Sequence, residues 1–128
     1  MAEVTRVLIV DDLMITADLL GELLTEHGFQ VRVAYRPDAA EMLARQFQPQ
    51  GLVLDYQMPG TTGVEVLNTI KRELQEPIVV VFYTIYANTP EPQKKMLDCG
   101  VRQNAIISKV DVHEDAPRIV EAINGEVD

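Results

Sequence analysis

The 128-residue chain is 47% hydrophobic and 24% charged, and its 11 basic and 20 acidic side chains leave a net charge of −9. That length suits one domain burying about two-thirds of its unfolded surface, and the apolar content excludes a disordered chain. Acidity without any Lys/Arg cluster argues against nucleic acid, and the lone Cys99, which cannot close an internal disulfide, points to a reducing, cytoplasmic setting.

At the N-terminus, Met1 to Arg6 lacks the basic start and apolar run of a signal peptide, and no stretch approaches the roughly 18 apolar residues of a membrane span. Val7-Leu8-Ile9-Val10 is a continuous apolar run, rich in β-branched residues, that stops at Asp11-Asp12. From Leu13 to His27, Ile15, Leu19, Leu20, Leu23 and Leu24 recur at helical spacing, with Gly28 as the stop. Gln30 to Tyr35 alternates like a half-exposed strand, and Pro37-Asp38 opens a helix through Ala40, Leu43 and Ala44. Leu52-Val53-Leu54 is a short buried run ending at Asp55. Beyond the turn Met58-Pro59-Gly60 a helix carries Val64, Val66, Leu67, Ile70 and Leu74. Ile78 to Tyr83 gives the strongest strand signal in the chain. Pro90 and Pro92 delay the next helix to about Gln93–Cys99, before Gly100. Ala105 to Ser108 reads as a fifth strand, and Asp115-Ala116-Pro117 as the start of a last helix with Ile119, Val120 and Ile123 inward.

Five strand–helix units of this kind predict a parallel sheet covered on both faces. Right-handed crossovers favour the flavodoxin-like (βα)5 order 2-1-3-4-5, a three-layer sandwich. Neither Gly-x-Gly-x-x-Gly nor a phosphate loop ending in Gly-Lys occurs. The expected unit is a single domain over 1–128, with its core at about 6–124 and no output domain within the chain.

Ligands of such sheets bind beyond the carboxyl ends of the strands. There the sequence places Asp11 and Asp12, Asp55, Thr84 and Lys109. With strands one and three adjacent, three carboxylates meet in one crevice, and their repulsion calls for a cation. An all-oxygen donor set suits Mg²⁺, with positions left for water or phosphate. Lys109 adds a positive charge and Thr84 a hydroxyl donor. The set favours phosphoryl transfer onto an aspartate, a reaction of positioning and charge neutralisation. Singly, each residue has an ordinary reading: a helix cap for Asp11 or Asp12, a turn residue for Asp55, a strand end for Thr84, a solvated lysine for Lys109. Five together, in order on successive strand ends, do not. His27 and His113 sit at helix ends without ligand partners, Cys99 is a packing residue, and Glu91, Lys94, Lys95 and Asp98 form a solvated helix face.

Val10-Asp11-Asp12, Leu54-Asp55-Tyr56-Gln57-Met58-Pro59-Gly60 with Gly63, Tyr83-Thr84 and Ser108-Lys109 resemble, in order from about Arg6 to Ile123, the receiver domains of two-component response regulators. The resemblance implies that Asp55 is the phosphoacceptor. It implies a Mg²⁺ ion held by Asp12 directly, by Asp11 mostly through water, by Asp55 and by the backbone carbonyl of Gln57. Thr84 and Lys109 would contact phosphoryl oxygens. The implied donor is a histidine kinase or histidine phosphotransfer protein, and the output is altered contact with a target protein or a missing output domain. On this reading the chain is no enzyme beyond its own phosphorylation and dephosphorylation.

Four departures gather in the last third. Val110 replaces the proline that usually follows the lysine, so a trans bond and an altered loop are expected, because a cis bond before valine costs about 3–4 kcal/mol. Ile106 stands where the family has its switch aromatic, Ile85 is bulkier than the usual Ala or Gly and could restrict access to Asp55, and Gly100 to Lys109 is about two residues longer. They motivate a second function, a phosphorylation-independent interaction module on a relic pocket. A haloacid-dehalogenase-type phosphatase needs an Asp where Gln57 stands. The natural-looking N-terminus favours an N-terminal or complete receiver.

Overall fold

A computed structural model describes residues 3–125; the ends of the expected 1–128 unit, residues 1–2 and 126–128, lie outside the described residues. The parallel strands are β1 (Arg6–Val10), β2 (Gln30–Ala34), β3 (Gly51–Leu54), β4 (Val79–Thr84) and β5 (Ile106–Ser108). Their order is β2-β1-β3-β4-β5, the predicted flavodoxin-like arrangement, with half-exposed β2 at one edge. The helices are α1 (Met14–Glu26), α2 (Pro37–Phe47), α3 (Gly63–Glu73), α4 (Pro90–Leu97) and α5 (Val112–Asn124). A two-rung antiparallel hairpin, Gln57–Met58 against Thr61–Thr62, lies between β3 and α3.

Alternation along the central strands sorts the core into two layers. Leu8, Val10, Leu52, Leu54, Phe82 and Ile106 face Ala40 and Ala44 of α2, Leu67 and Ile70 of α3, and Met96 of α4. Val7, Ile9, Val53, Val81, Tyr83 and Ile107 face Leu20 and Leu24 of α1 and Ile119 and Ile123 of α5. The near-continuous apolar runs of β1 and β3 are thus buried on both sides, as a parallel sheet requires. Gly28, at φ +97°, ends α1 where a side chain would be strained.

Three expectations need correction. Helix α4 starts at Pro90, not near Gln93. Both prolines lie in its first turn, where N–H groups have no helical partner, and the first helical bond runs from the Gln93 N–H to the Thr89 carbonyl. Helix α5 starts at Val112, three residues before Asp115, because the Asp111 carboxylate caps it by accepting the His113 and Glu114 N–H groups. Pro117 therefore stands inside α5 on an exposed face, not at its start. Ile15, read as part of the inward face of α1, is 88% exposed; Ala17, Leu20, Gly21 and Leu24 make the buried face instead.

Other expectations hold. No described residue has a cis peptide bond, so Lys109–Val110 is trans. The long connection before β5 folds as a 3₁₀ turn at Gln103–Ala105. Lys94–Asp98 and Lys95–Glu91 pair across the exposed face of α4. No helix among the described residues is long and apolar enough to cross a membrane.

Candidate functional site

Sheet hydrogen bonding carries three predicted residues one step past their strands. The Asp11 N–H donates to the Ala34 carbonyl, the Asp55 N–H to the Val10 carbonyl, and the Lys109 N–H to the Thr84 carbonyl, each at 3.1 Å. The register aligns Val10 with Leu54, Leu54 with Phe82, and Tyr83 with Ile107. One residue further on, Asp11, Asp55 and Tyr83 form a row across the sheet. They share the side of the pleat that carries Ile9, Val53 and Val81, and Lys109 follows Ile107 on that same side. A lysine from the edge strand can therefore reach back over Tyr83 to both aspartates.

The side chains do so. Lys109 Nζ lies 2.6 Å from Asp11 Oδ2, 3.0 Å from Asp55 Oδ2 and 5.8 Å from the centre of the Tyr83 ring. Asp11 and Asp55 are only 4% and 8% exposed. One carboxylate oxygen each from Asp11, Asp12 and Asp55 falls within 4.8 Å of the others. The second oxygens of the two buried aspartates are held by the backbone, Asp11 Oδ1 by the Leu13 N–H at 3.0 Å and Asp55 Oδ1 by the Tyr56 N–H at 2.7 Å. Neither Asp11 nor Asp12 occupies the cap position of α1, which falls to Leu13, so the ordinary explanation of that pair fails.

Burial dominates the electrostatics of Asp11 and raises its pKa, although Lys109 and the Leu13 N–H oppose the shift. For Lys109 burial works against the charge, but Asp11 and Asp55 outweigh it and hold the ammonium above its ordinary pKa. The crevice therefore carries one firm positive charge against three carboxylates. An all-oxygen set with excess negative charge fits Mg²⁺, which takes one or two carboxylates and keeps water or phosphate on its other positions.

Thr84 is fully buried at the end of β4, and its hydroxyl oxygen accepts the Tyr86 N–H at 3.2 Å. Gln57 opens the hairpin two residues beyond Asp55, outside the side-chain cluster. Gly63 closes the site from below. A Cβ there would lie 2.2 Å from the Asp55 carbonyl oxygen, and its N–H donates to the Tyr56 carbonyl at 2.5 Å. Ile106 packs in the core beside Phe82 and Met96, while Ile85 and Val110 point to solvent.

Asp115, which the sequence reads as a helix start, is a buried acceptor. It is 3% exposed and accepts the Tyr83 hydroxyl at 2.7 Å. The signal was present: Asp115, Ile119 and Ile123 follow one another at helical spacing, which puts a carboxylate on the inward stripe of α5. Burial, and then the bond to Asp115, pushes the Tyr83 phenol far above its ordinary pKa. A raised folded-state pKa gives stability that is complete below the unfolded value near 10 and is lost as pH climbs above it. Lys109 acts with the same sign. The melting temperature will fall as pH climbs above about 10, and less steeply for Tyr83→Phe; parallel curves for the two chains would contradict this coupling.

A family model described as the response regulator receiver domain matches residues 7–124. The protein-glutamate methylesterase/protein-glutamine glutaminase 3 of Burkholderia thailandensis is 30% identical over 125 residues, 96% of this chain and 34% of that protein. The chain spans 21% to 34% of the length of the curated relatives it matches first. The non-phosphorylated HemR receiver domain from Leptospira biflexa superimposes with a TM-score of 0.77 at 24% identity, covering 93% of this chain and 94% of that one. The response regulator domain of Thermotoga maritima CheB gives 0.75 at 23% identity, covering 98% of each. At those identities the solved structures speak for the fold, while the family match runs from the first core strand to the end of α5. The chain belongs to the response regulator receiver domains.

Proposed function

We propose that the chain accepts a phosphoryl group on Asp55 in a Mg²⁺-dependent reaction and signals through changed protein contacts. The observation that carries this reading is the Lys109 ammonium seated between Asp11 and Asp55 beside a third carboxylate. Asp55 Oδ1 is fixed by the Tyr56 N–H, which leaves Oδ2, facing Lys109, as the attacking oxygen. The Oδ2–P bond forms as the P–N bond to a donor imidazole breaks. Lys109 draws off the charge developing on the phosphoryl oxygens, and Thr84 donates its hydroxyl to one of them. Asp11, Asp12, Asp55 and the Gln57 carbonyl would hold Mg²⁺, which supplies the further positive charge that phosphoryl transfer to a carboxylate needs.

The donor in this reading is a histidine kinase or histidine phosphotransfer protein of the cytoplasm. An apolar rim on the carboxyl ends of the strands supports a protein partner: Leu13, Met14 and Ile15 after β1, Ile85 after β4, and Val110, 77% exposed, after β5. The receiver unit in this reading is 1–128 with its core at about 6–124, and it performs no chemistry on other molecules. A second reading, an interaction module that needs no phosphorylation, draws on Ile106, which is locked in the core where the family keeps its switch aromatic.

Incubation with Mg²⁺ and a small phosphodonor, followed by intact-mass measurement, separates the two. The natural chain will gain one phosphoryl group, lose the gain when Mg²⁺ is chelated, and gain nothing as Asp55→Asn. An unmodified natural chain under conditions that modify an ordinary receiver would favour the interaction module.

A further inference from the structure

Three donors converge on one oxygen of a carboxylate outside the acidic crevice. Asp115 Oδ2 accepts the Tyr83 hydroxyl at 2.7 Å, the Val110 N–H at 2.9 Å and the Asp111 N–H at 3.0 Å. Sinking a carboxylate to this depth is unfavourable unless hydrogen bonds compensate it, so the three bonds account for its being there. They also solve a local problem. The β4–β5 ladder ends where the Lys109 N–H meets the Thr84 carbonyl, and the next two N–H groups have no strand to pair with. Asp115 takes both. Lys109 is thus fixed on its N-terminal side by the sheet and on its C-terminal side by α5. The same oxygen holds Tyr83, whose ring lies beneath the lysine ammonium.

We propose that Asp115 is a positioning residue for Lys109, tying the Val110–Asp111 backbone and the Tyr83 ring to α5 so that the ammonium stays between Asp11 and Asp55. The role depends on Val110 not being proline, because a proline there would have no N–H to donate. The departure from the family pattern after Lys109 and the buried aspartate of α5 are then two halves of one device. The proposal rests on the reading of Lys109 as a phosphoryl contact, and its test keeps the two apart.

The test compares the natural chain with Asp115→Ala and Asp115→Asn at saturating Mg²⁺, following adduct formation with phosphoramidate by intact mass. Misplacing a charge-stabilising group by a fraction of an ångström to an ångström will slow the alanine variant roughly ten- to a hundredfold. Asparagine, which keeps an acceptor oxygen, will recover part of the rate. Mg²⁺ affinity, measured by calorimetry, will not weaken in either variant, since displacing the ammonium takes positive charge away from the crevice carboxylates; a merely structural lesion would weaken it and would not be relieved by asparagine. Equal rates in the natural and alanine chains would overturn the proposal. Should the natural chain take up no phosphoryl group, the reading of Asp55 fails, and the lysine is then judged from its own signal. The Lys109 ammonium ¹⁵N resonance will move toward that of a free lysine in Asp115→Ala, and the Val110 and Asp111 amides will exchange faster. An unmoved resonance and unchanged exchange would sink the proposal whatever the phosphoryl chemistry does.

Discussion

Replacing Lys109 with methionine will destabilise the Mg²⁺-free chain by about 3 kcal/mol at neutral pH, on the order of 10 °C in melting temperature. The methionine keeps much of the stem's volume above Tyr83 and removes only the charge, so the loss is electrostatic. Breaking a buried ion pair costs about 3–5 kcal/mol because the partner stays behind uncompensated, and here two partners stay behind. The lower figure applies because the Leu13 and Tyr56 N–H groups still hold one oxygen of each aspartate. Without Lys109 the Asp11 pKa, already raised by burial, climbs further, and a raised carboxyl loses stability as pH rises through the window above its unfolded value. The deficit will therefore be smaller at mildly acidic pH than at neutral pH. Mg²⁺ will restore much of it, since a ligand that binds only the folded chain stabilises by mass action. Denaturant melts at two pH values, with and without Mg²⁺, check all three statements. A variant as stable as the natural chain at neutral pH would mean that Lys109 does not neutralise the crevice.

Gly63→Ala will cost about 2 kcal/mol although alanine is the better helix former. Gly63 is the first residue of α3, and alanine gains at most about 1 kcal/mol there by propensity. Against that stands a Cβ placed 2.2 Å from the Asp55 carbonyl oxygen and 3.2 Å from the Asp55 carbonyl carbon and Leu54 Cγ. Overpacking a tight site costs about 1–3 kcal/mol, and contact with backbone rather than a side-chain tip puts this one at the upper end. The backbone that must yield is that of the phosphoacceptor, so the variant will also form the phosphoryl adduct more slowly. Urea melts and adduct rates measured together check this; natural stability in Gly63→Ala would show that α3 can withdraw from β3 freely.

Much of this arrangement is legible in the amino-acid sequence. The continuous apolar runs of β1, β3 and β4 leave little choice of structure, and a strand that ends abruptly on Asp11, Asp55 or Thr84 announces where the sheet's carboxyl edge lies. What escaped reading depends on context that spacing does not carry. Pro90 and Pro92 look like breakers until the Thr89 carbonyl is seen to start the helix beneath them. Ile15 has helical spacing to Leu19 and still faces water, because the stripe of α1 that meets the sheet runs through Ala17, Leu20, Gly21 and Leu24. Asp115 was hidden for a different reason. At the expected helix boundary it reads as a cap, and only the true start three residues earlier, at Val112, turns it inward toward Tyr83.

The central claim, that Asp55 itself takes the phosphoryl group, has a direct chemical test. An acyl phosphate is reduced by borohydride where a free carboxylate is not, so the modified side chain becomes an alcohol that peptide sequencing by mass can place. After incubation with Mg²⁺ and phosphodonor, reduction at position 55 and nowhere else is the predicted result. Reduction at Asp12 or at any other acid, or none in a chain carrying the adduct, would contradict it.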